Sequence, residues 1–221
     1  MKLSHVHARH CKRSAFSLIE MVVVIAILLT LATAGAQLLG NTDVQTRKAG
    51  TDLVTNLVEK ARSTAITSRR HVILAIAEAG DLPYSDERCR LGIFKVDAWP
   101  DTLEEEIIHA NQVGRWRALE RGLTISGGEI ENHDNPLEST ELSIEYGNKP
   151  KNRSAKVHAI AFNPRGGIIY PISANPIVLR VAACSYRNGK AVPRLDANGG
   201  TNLEQKIKIG RVTARAYRIN E

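Results

Sequence analysis

Aromatic residues make up only 5% of the 221-residue chain, too few to supply the stacking platforms of a single-strand nucleic-acid binder. Cysteine is scarce as well, with three in all, which excludes a small fold built from disulfides. At 43% hydrophobic and 24% charged, the chain is neither disordered nor a multi-pass membrane protein, and it is long enough for one ordinary core. Acid is missing from the first fifteen residues, where Lys2, Arg9, Lys12 and Arg13 stand alone. Of the net charge of +7, these four account for most, because without them 26 bases face 23 acids, or +3. The basicity therefore belongs to an N-terminal leader and says little about an acidic partner for the rest.

Motifs of catalysis are missing too: the sequence has no nucleophile elbow, no zinc-protease helix and no phosphate loop. His71, His109, His133 and His158 are scattered singly, and Glu104-Glu105-Glu106 reads as a solvated acidic face. His5, His7, His10 and Cys11 look metal-like but sit in the basic leader, and Asp196-Ala197-Asn198-Gly199-Gly200 lacks the carboxylates of a calcium loop. The expectation is a non-enzymatic chain with no metal and no cofactor.

What the chain does have is nineteen uncharged residues from Met21 to Leu39, MVVVIAILLTLATAGAQLL. As a helix these reach roughly 28 Å, about the thickness of a bilayer's hydrocarbon core. With every leader base ahead of the run, positive charge holds Met1 to Ala15 in the cytoplasm and sends the remainder outward. A secretory signal cut near Ala32-Thr33-Ala34 or Ala34-Gly35-Ala36, or an uncleaved anchor, would explain the run but leave Glu20 at its mouth unexplained. A carboxylate near the membrane costs up to a few kcal/mol and asks for a partner.

Ser14-Ala15-Phe16-Ser17-Leu18-Ile19-Glu20, followed by the apolar run, resembles the class III signal of type IV prepilins and type II secretion pseudopilins. The resemblance implies that a membrane prepilin peptidase cuts between Ala15 and Phe16 on the cytoplasmic side and methylates the new amine. It also implies that Glu20, the fifth mature residue, neutralises the Phe16 amine of a neighbouring subunit during assembly. Two opposite charges in a low-dielectric bundle each relieve the other's desolvation cost, so this role is physically sensible. Ala15 departs from the glycine usual before the cut.

Further on, Val54, Leu57, Val58, Ala61 and Ala65 form a helical stripe, with Asp52, Glu59, Lys60 and Arg62 off it. The pattern predicts one long helix over 16–70 containing the transmembrane segment at about 21–39, with Gly35, Gly40 and Gly50 as soft points. A β-rich globular domain is predicted over 71–221. Strands are expected at 71–77, 91–96, 123–126, 142–146, 157–162, 168–170, 177–186 and 205–219, with Pro164, Gly166 and Gly167 turning a hairpin and a weak helix at 102–109. Long helix followed by strands means α+β, an antiparallel sheet on the helix's amphipathic half. That is the pilin-like architecture.

The stretch Leu57-Val58-Glu59-Lys60-Ala61-Arg62-Ser63-Thr64-Ala65-Ile66 before the strand at Val72, and Ile160-Ala161-Phe162-Asn163-Pro164-Arg165-Gly166, resemble H-type minor pseudopilins and FimT-like pilins. Trp116, Arg117, Leu119 and Gly122, with the C-terminal Gly210-Arg211 and Tyr217-Arg218, are similar to prepilin-like cassette proteins of verrucomicrobial type. These resemblances imply a minor pseudopilin or pilin-like subunit of a type II secretion pseudopilus or a type IV pilus-like fibre. Its expected partners are the prepilin peptidase, other pilins, the inner-membrane assembly platform and, before assembly, the bilayer. The expected location is the inner membrane, crossed once, with the C-terminal domain periplasmic.

Two further features remain. Cys89 and Cys184 would face an oxidising compartment and are candidates for a disulfide, the alternative being two separate thiols. Lys206, Lys208, Arg211, Arg215 and Arg218 give five bases in thirteen residues without an acid. DNA-uptake pilins of FimT type carry a basic Gly-Arg-x-Arg motif, from which Gly210-Arg211-Val212-Thr213 departs at Thr213. A solvated strand face is the plainer reading, and a DNA-binding pilin-like subunit of a DNA-uptake system, or a signal-anchored or secreted envelope protein of unknown activity, the alternative function.

Overall fold

In the computed structural model the residues described are 18–40, 42–78, 87–100, 107–128, 131–147, 153–188, 190–194 and 204–219, the side chains of 32–43 excepted. The chain divides into two compact units, Met1–Thr42 and Asp43–Glu221. The first holds helix α1, Leu18–Gly40, and helix α2, Thr42–Ser68, opens into the second. Residue 41 lies outside the description, so the helix expected over 16–70 is seen as these two.

Every residue of strand β1, Val72–Ala77, is buried, although its neighbours in the chain are not. The reason is a ring of pairings. Strand β1 pairs antiparallel with β2 (Arg90–Val96) on one edge, Val72 opposite Lys95, and with β7 (Arg153–Phe162) on the other, Leu74 opposite Ile160. Strand β2 continues to β3 (Ile108–Gln112), which pairs parallel with β6 (Leu142–Tyr146), and β6 returns antiparallel to β7. The five strands close on themselves, so this barrel has no free edge within the ring. Its interior is filled by alternate residues such as Ile73, Ala75, Phe94, Ile144, Tyr146 and Val157. Val72, Leu74 and Ile76 point the other way, into the core shared with α2.

The barrel interior is tight around its aromatic cluster. The ring centroids of Phe94 and Trp116 lie 5.3 Å apart, and those of Phe94 and Tyr146 4.9 Å apart. A Cβ added at Gly92 would stand 2.8 Å from Phe94 and 2.9 Å from Trp116. Gly92→Val should therefore cost about 1–3 kcal/mol by overpacking, read as a lower denaturant midpoint with unchanged slope.

A second sheet is built from β5 (Leu123–Ser126), β9 (Ile177–Arg187), β10 (Lys190–Pro193), β11 (Glu204–Ile209) and β12 (Ala216–Ile219). Ile177, Leu179 and Val181 of β9, with Ile207 and Ile209, meet the buried α2 stripe of Val54, Leu57, Val58, Ala61 and Ala65. One face of α2 thus closes the core between the outer wall of the barrel and the second sheet. Two short strands complete the description: β4 (Arg117–Ala118), paired with β2, and β8 (Ile168–Tyr170), paired with β7.

The fold is α+β, but three expectations are corrected. The one antiparallel sheet is in fact a closed barrel with a parallel seam, β3 to β6, beside a second sheet. The strand expected over 205–219 is a hairpin, because the chain turns at 211–213 and Ala214 takes a left-handed φ of 47°. His109, placed in a weak helix, lies in β3, while 101–106, including Glu104-Glu105-Glu106, fall outside the described residues.

Candidate functional site

At the N-terminus, Ala15 and Phe16 lie outside the described residues, as do His5, His7, His10 and Cys11. Glu20 is exposed in the first turn of α1, where a carboxylate complements the positive end of the helix dipole. Around it Leu18 to Leu31 are all exposed, Leu18 by 82% and Leu31 by 64%, and apart from Glu20 and Thr30 all are apolar. A helix apolar on every side has no solvent face, and it needs lipid or other helices around it. Among the described residues no helix is long and apolar enough to cross a membrane. Leu18 to Leu31 alone reach about 20 Å, and the span expected from Met21 to Leu39 runs past them.

The two internal motifs meet in space. Asn163 accepts hydrogen bonds on Oδ1 from the amides of Arg165 (2.9 Å) and Gly167 (3.0 Å), which folds the β7–β8 turn. Gly166 in that turn has φ +84°, and a Cβ there would stand 2.8 Å from Ile66 of α2. Only glycine suits both the left-handed backbone and this approach. From the same helix Glu59 accepts a bond from the Ala216 amide at 3.0 Å, and Arg62 donates to the Thr213 carbonyl at 2.6 Å. The motif on α2 thus fastens the helix to the C-terminal hairpin.

Arg211 and Arg218, of the five C-terminal bases, are held by partners within the fold that remove them from a uniform basic face. Arg211 donates to the carbonyls of Asn175 (2.6 Å) and Pro171 and to the Asp134 carboxylate, and it is 12% exposed. Arg218 donates to Asp52 on α2 and to the Lys48 carbonyl. Lys206 and Lys208 stand opposite Ile219 and Tyr217 on the face of β11 turned away from α2. Arg215 is exposed beside the turn. The turn, unseen in the alternation of the sequence, is what separates Arg211 and Arg215 from the two lysines.

Cys89 and Cys184 are both buried, and no disulfide joins them in the structure. Burial pushes the Cys184 thiol up, against the opposing effects of its neighbours Tyr186 and Arg194. The Tyr186 hydroxyl is pushed up as well, first by burial and then by its neighbours Cys184, Cys89 and Glu87. A thiol raised in this way carries little thiolate and is a poor nucleophile.

A cleft of about 560 Å³ runs between Glu131–Asn135 and Pro171–Asn175. Arg211 ties these two segments together, bonding Asp134 on one and the Pro171 and Asn175 carbonyls on the other.

The family model described as the prokaryotic N-terminal methylation motif matches residues 11–36, which contain Ala15, Phe16, Glu20 and most of the apolar run. No curated protein and no solved structure matches the chain. The match supports a prepilin-like chain, a type IV pilin-like subunit that a prepilin peptidase processes and that assembles with other pilins.

Proposed function

We propose that the chain is a minor pseudopilin of H or FimT type, a non-enzymatic subunit of a type II secretion pseudopilus or a type IV pilus-like fibre. The observation that carries this reading is the methylation motif at 11–36, overlapping a helix whose residues 18–31 are apolar all round except for Glu20 and Thr30. The peptidase cuts between Ala15 and Phe16 and methylates the Phe16 amine. Residues 21–39 cross the inner membrane once, with the leader cytoplasmic and the globular unit periplasmic. The same apolar surface then faces neighbouring helices in the fibre, since lipid and helix are equally apolar surroundings. Glu20 pairs with the Phe16 amine of the next subunit. Anchoring of Arg211 and Arg218 within the fold weighs against the DNA-uptake alternative.

Mass spectrometry of the protein recovered from host membranes tests the reading at its first step. A chain starting at N-methylated Phe16 is expected. An intact Met1, or a start near Gly35 or Gln37, would sink it.

A further inference from the structure

The β9–β10 hairpin carries a second group of bases, and the register places them together. Arg187 stands directly opposite Lys190, and Ser185 opposite Val192. The Arg194 amide bonds the Ala183 carbonyl at 2.7 Å, extending the same register. Opposite residues share a face and alternate residues along a strand share one too, so Arg187, Lys190, Val192 and Arg194 lie on the face that holds Val181. All four are exposed, Val192 by 41%. Arg121, also exposed, occupies the turn that leads into β5, next to the Gly122 carbonyl that accepts from the Cys184 amide. Among the described residues, Glu87 and Glu120 are the exposed acids at this end.

The position of the hairpin along α2 gives the patch its meaning. Helix α2 runs antiparallel to β9: Glu59 bonds Ala216, which is registered through Ile209 to Ile177, whereas a Cβ at Gly50 would lie 3.6 Å from Val181. From Gly50 back to Thr42 is about 12 Å of helix, and from Val181 on to Arg187 is about 20 Å of strand. Arg187 therefore lies at the same end of the globular unit as the start of α2, where the chain enters that unit. Only residue 41 separates α2 from the apolar α1 along the chain, so this end of the globular unit is the one joined covalently to the segment read as the membrane span.

We propose that the Arg187–Lys190–Arg194 face, with Val192 among the bases, docks on the anionic phospholipid headgroups of the bilayer that holds the apolar helix. It rests on the reading of 21–39 as a membrane span. Basic side chains flanking an exposed apolar one are the composition of an interfacial surface, and each base near an anionic leaflet contributes about 1 kcal/mol. Docking holds the globular unit against the membrane until the subunit is drawn into a fibre.

Hydrogen exchange on the full chain, reconstituted in vesicles of phosphatidylcholine alone or mixed with phosphatidylglycerol, tests this. Amides around 185–191 should exchange more slowly with phosphatidylglycerol present, by about fivefold for each base engaged. The protection should vanish at about 1 M salt, where the Debye length falls to about 3 Å. It should also vanish in Arg187→Glu/Lys190→Glu and persist in Lys208→Glu on the opposite face of the sheet. Equal exchange in both lipids, with the chain retained through an alkaline wash, would overturn the docking surface alone. Release of the chain by that wash from neutral vesicles would overturn the span and the docking with it. Protection of the hairpin by added duplex DNA, with no response to phosphatidylglycerol, would reassign the patch to nucleic acid.

Discussion

Glu20→Ala is expected to be cut ahead of Phe16 much like the parent chain and to be lost from fibres, its incorporation falling by about a hundredfold or more. In the proposed function, cleavage depends on the leader and the residues at the cut, whereas Glu20 acts only once apolar helices surround it. Without the carboxylate, the Phe16 amine of the neighbouring subunit is left unpaired in the low dielectric of a helical bundle, and an unpaired charge there costs about 3–5 kcal/mol. If Glu20 served only the dipole of its own helix, the loss would be about 0.3–1 kcal/mol, less than a tenfold effect. Glu20→Gln separates the two further, because it keeps the shape and removes the charge, and it should fail as Glu20→Ala does. Sheared-fibre yield of each variant, set against the amount of processed chain in the membrane, is the measurement. Normal incorporation of either would remove the assembly role from Glu20.

Arg211→Ala should destabilise the globular unit by about 3 kcal/mol, near the lower end for breaking a buried pair, since Arg211 and Asp134 are 12% and 20% exposed. The side chain joins three segments distant in sequence: the β11–β12 turn, Pro171–Asn175 and Asp134. Without it the Asp134 carboxylate and two carbonyls lose their donor at once. For a unit of this size the change corresponds to a fall in Tm of about 6–12 °C. Asp134→Asn keeps a neutral acceptor and should lose less, and the double variant should lose less than the two single losses added together. A stable Arg211→Ala whose only defect is weaker, less salt-sensitive DNA binding would reverse this account and favour the uptake alternative.

The elements of this chain were legible wherever one local signal decided them. The stripe from Val54 to Ala65 has helical spacing and is buried against the sheets, and the apolar runs at 72–77, 90–96, 142–146 and 177–187 are strands near the positions their alternation and turns mark. The strands that escaped notice are those without such a run. In β3, Ile108-His109-Ala110-Asn111-Gln112 has only two apolar residues, and β10 is Lys190-Ala191-Val192-Pro193. Both are recruited by a partner already in place, β3 by β2 and β6, and β10 by β9 through the turn at Asn188, whose φ is 52°.

The candidate sites divide in the same way. By itself the amino-acid sequence determined the basic segment ahead of the apolar run, the lone Glu20 and the uncharged run, and it carries the reading of Ala15 and Phe16 as a cleavage pair, because charge and hydropathy there act along a single stretch of chain. Only the tertiary structure decided that the strands close into a barrel, that Arg211 is an anchor within the fold, and that Arg187, Lys190 and Arg194 share a face. Each of these depends on strand register and on a turn. Spacing along the chain records which residues alternate, but the identity of the strand that lies opposite is set by long-range pairing.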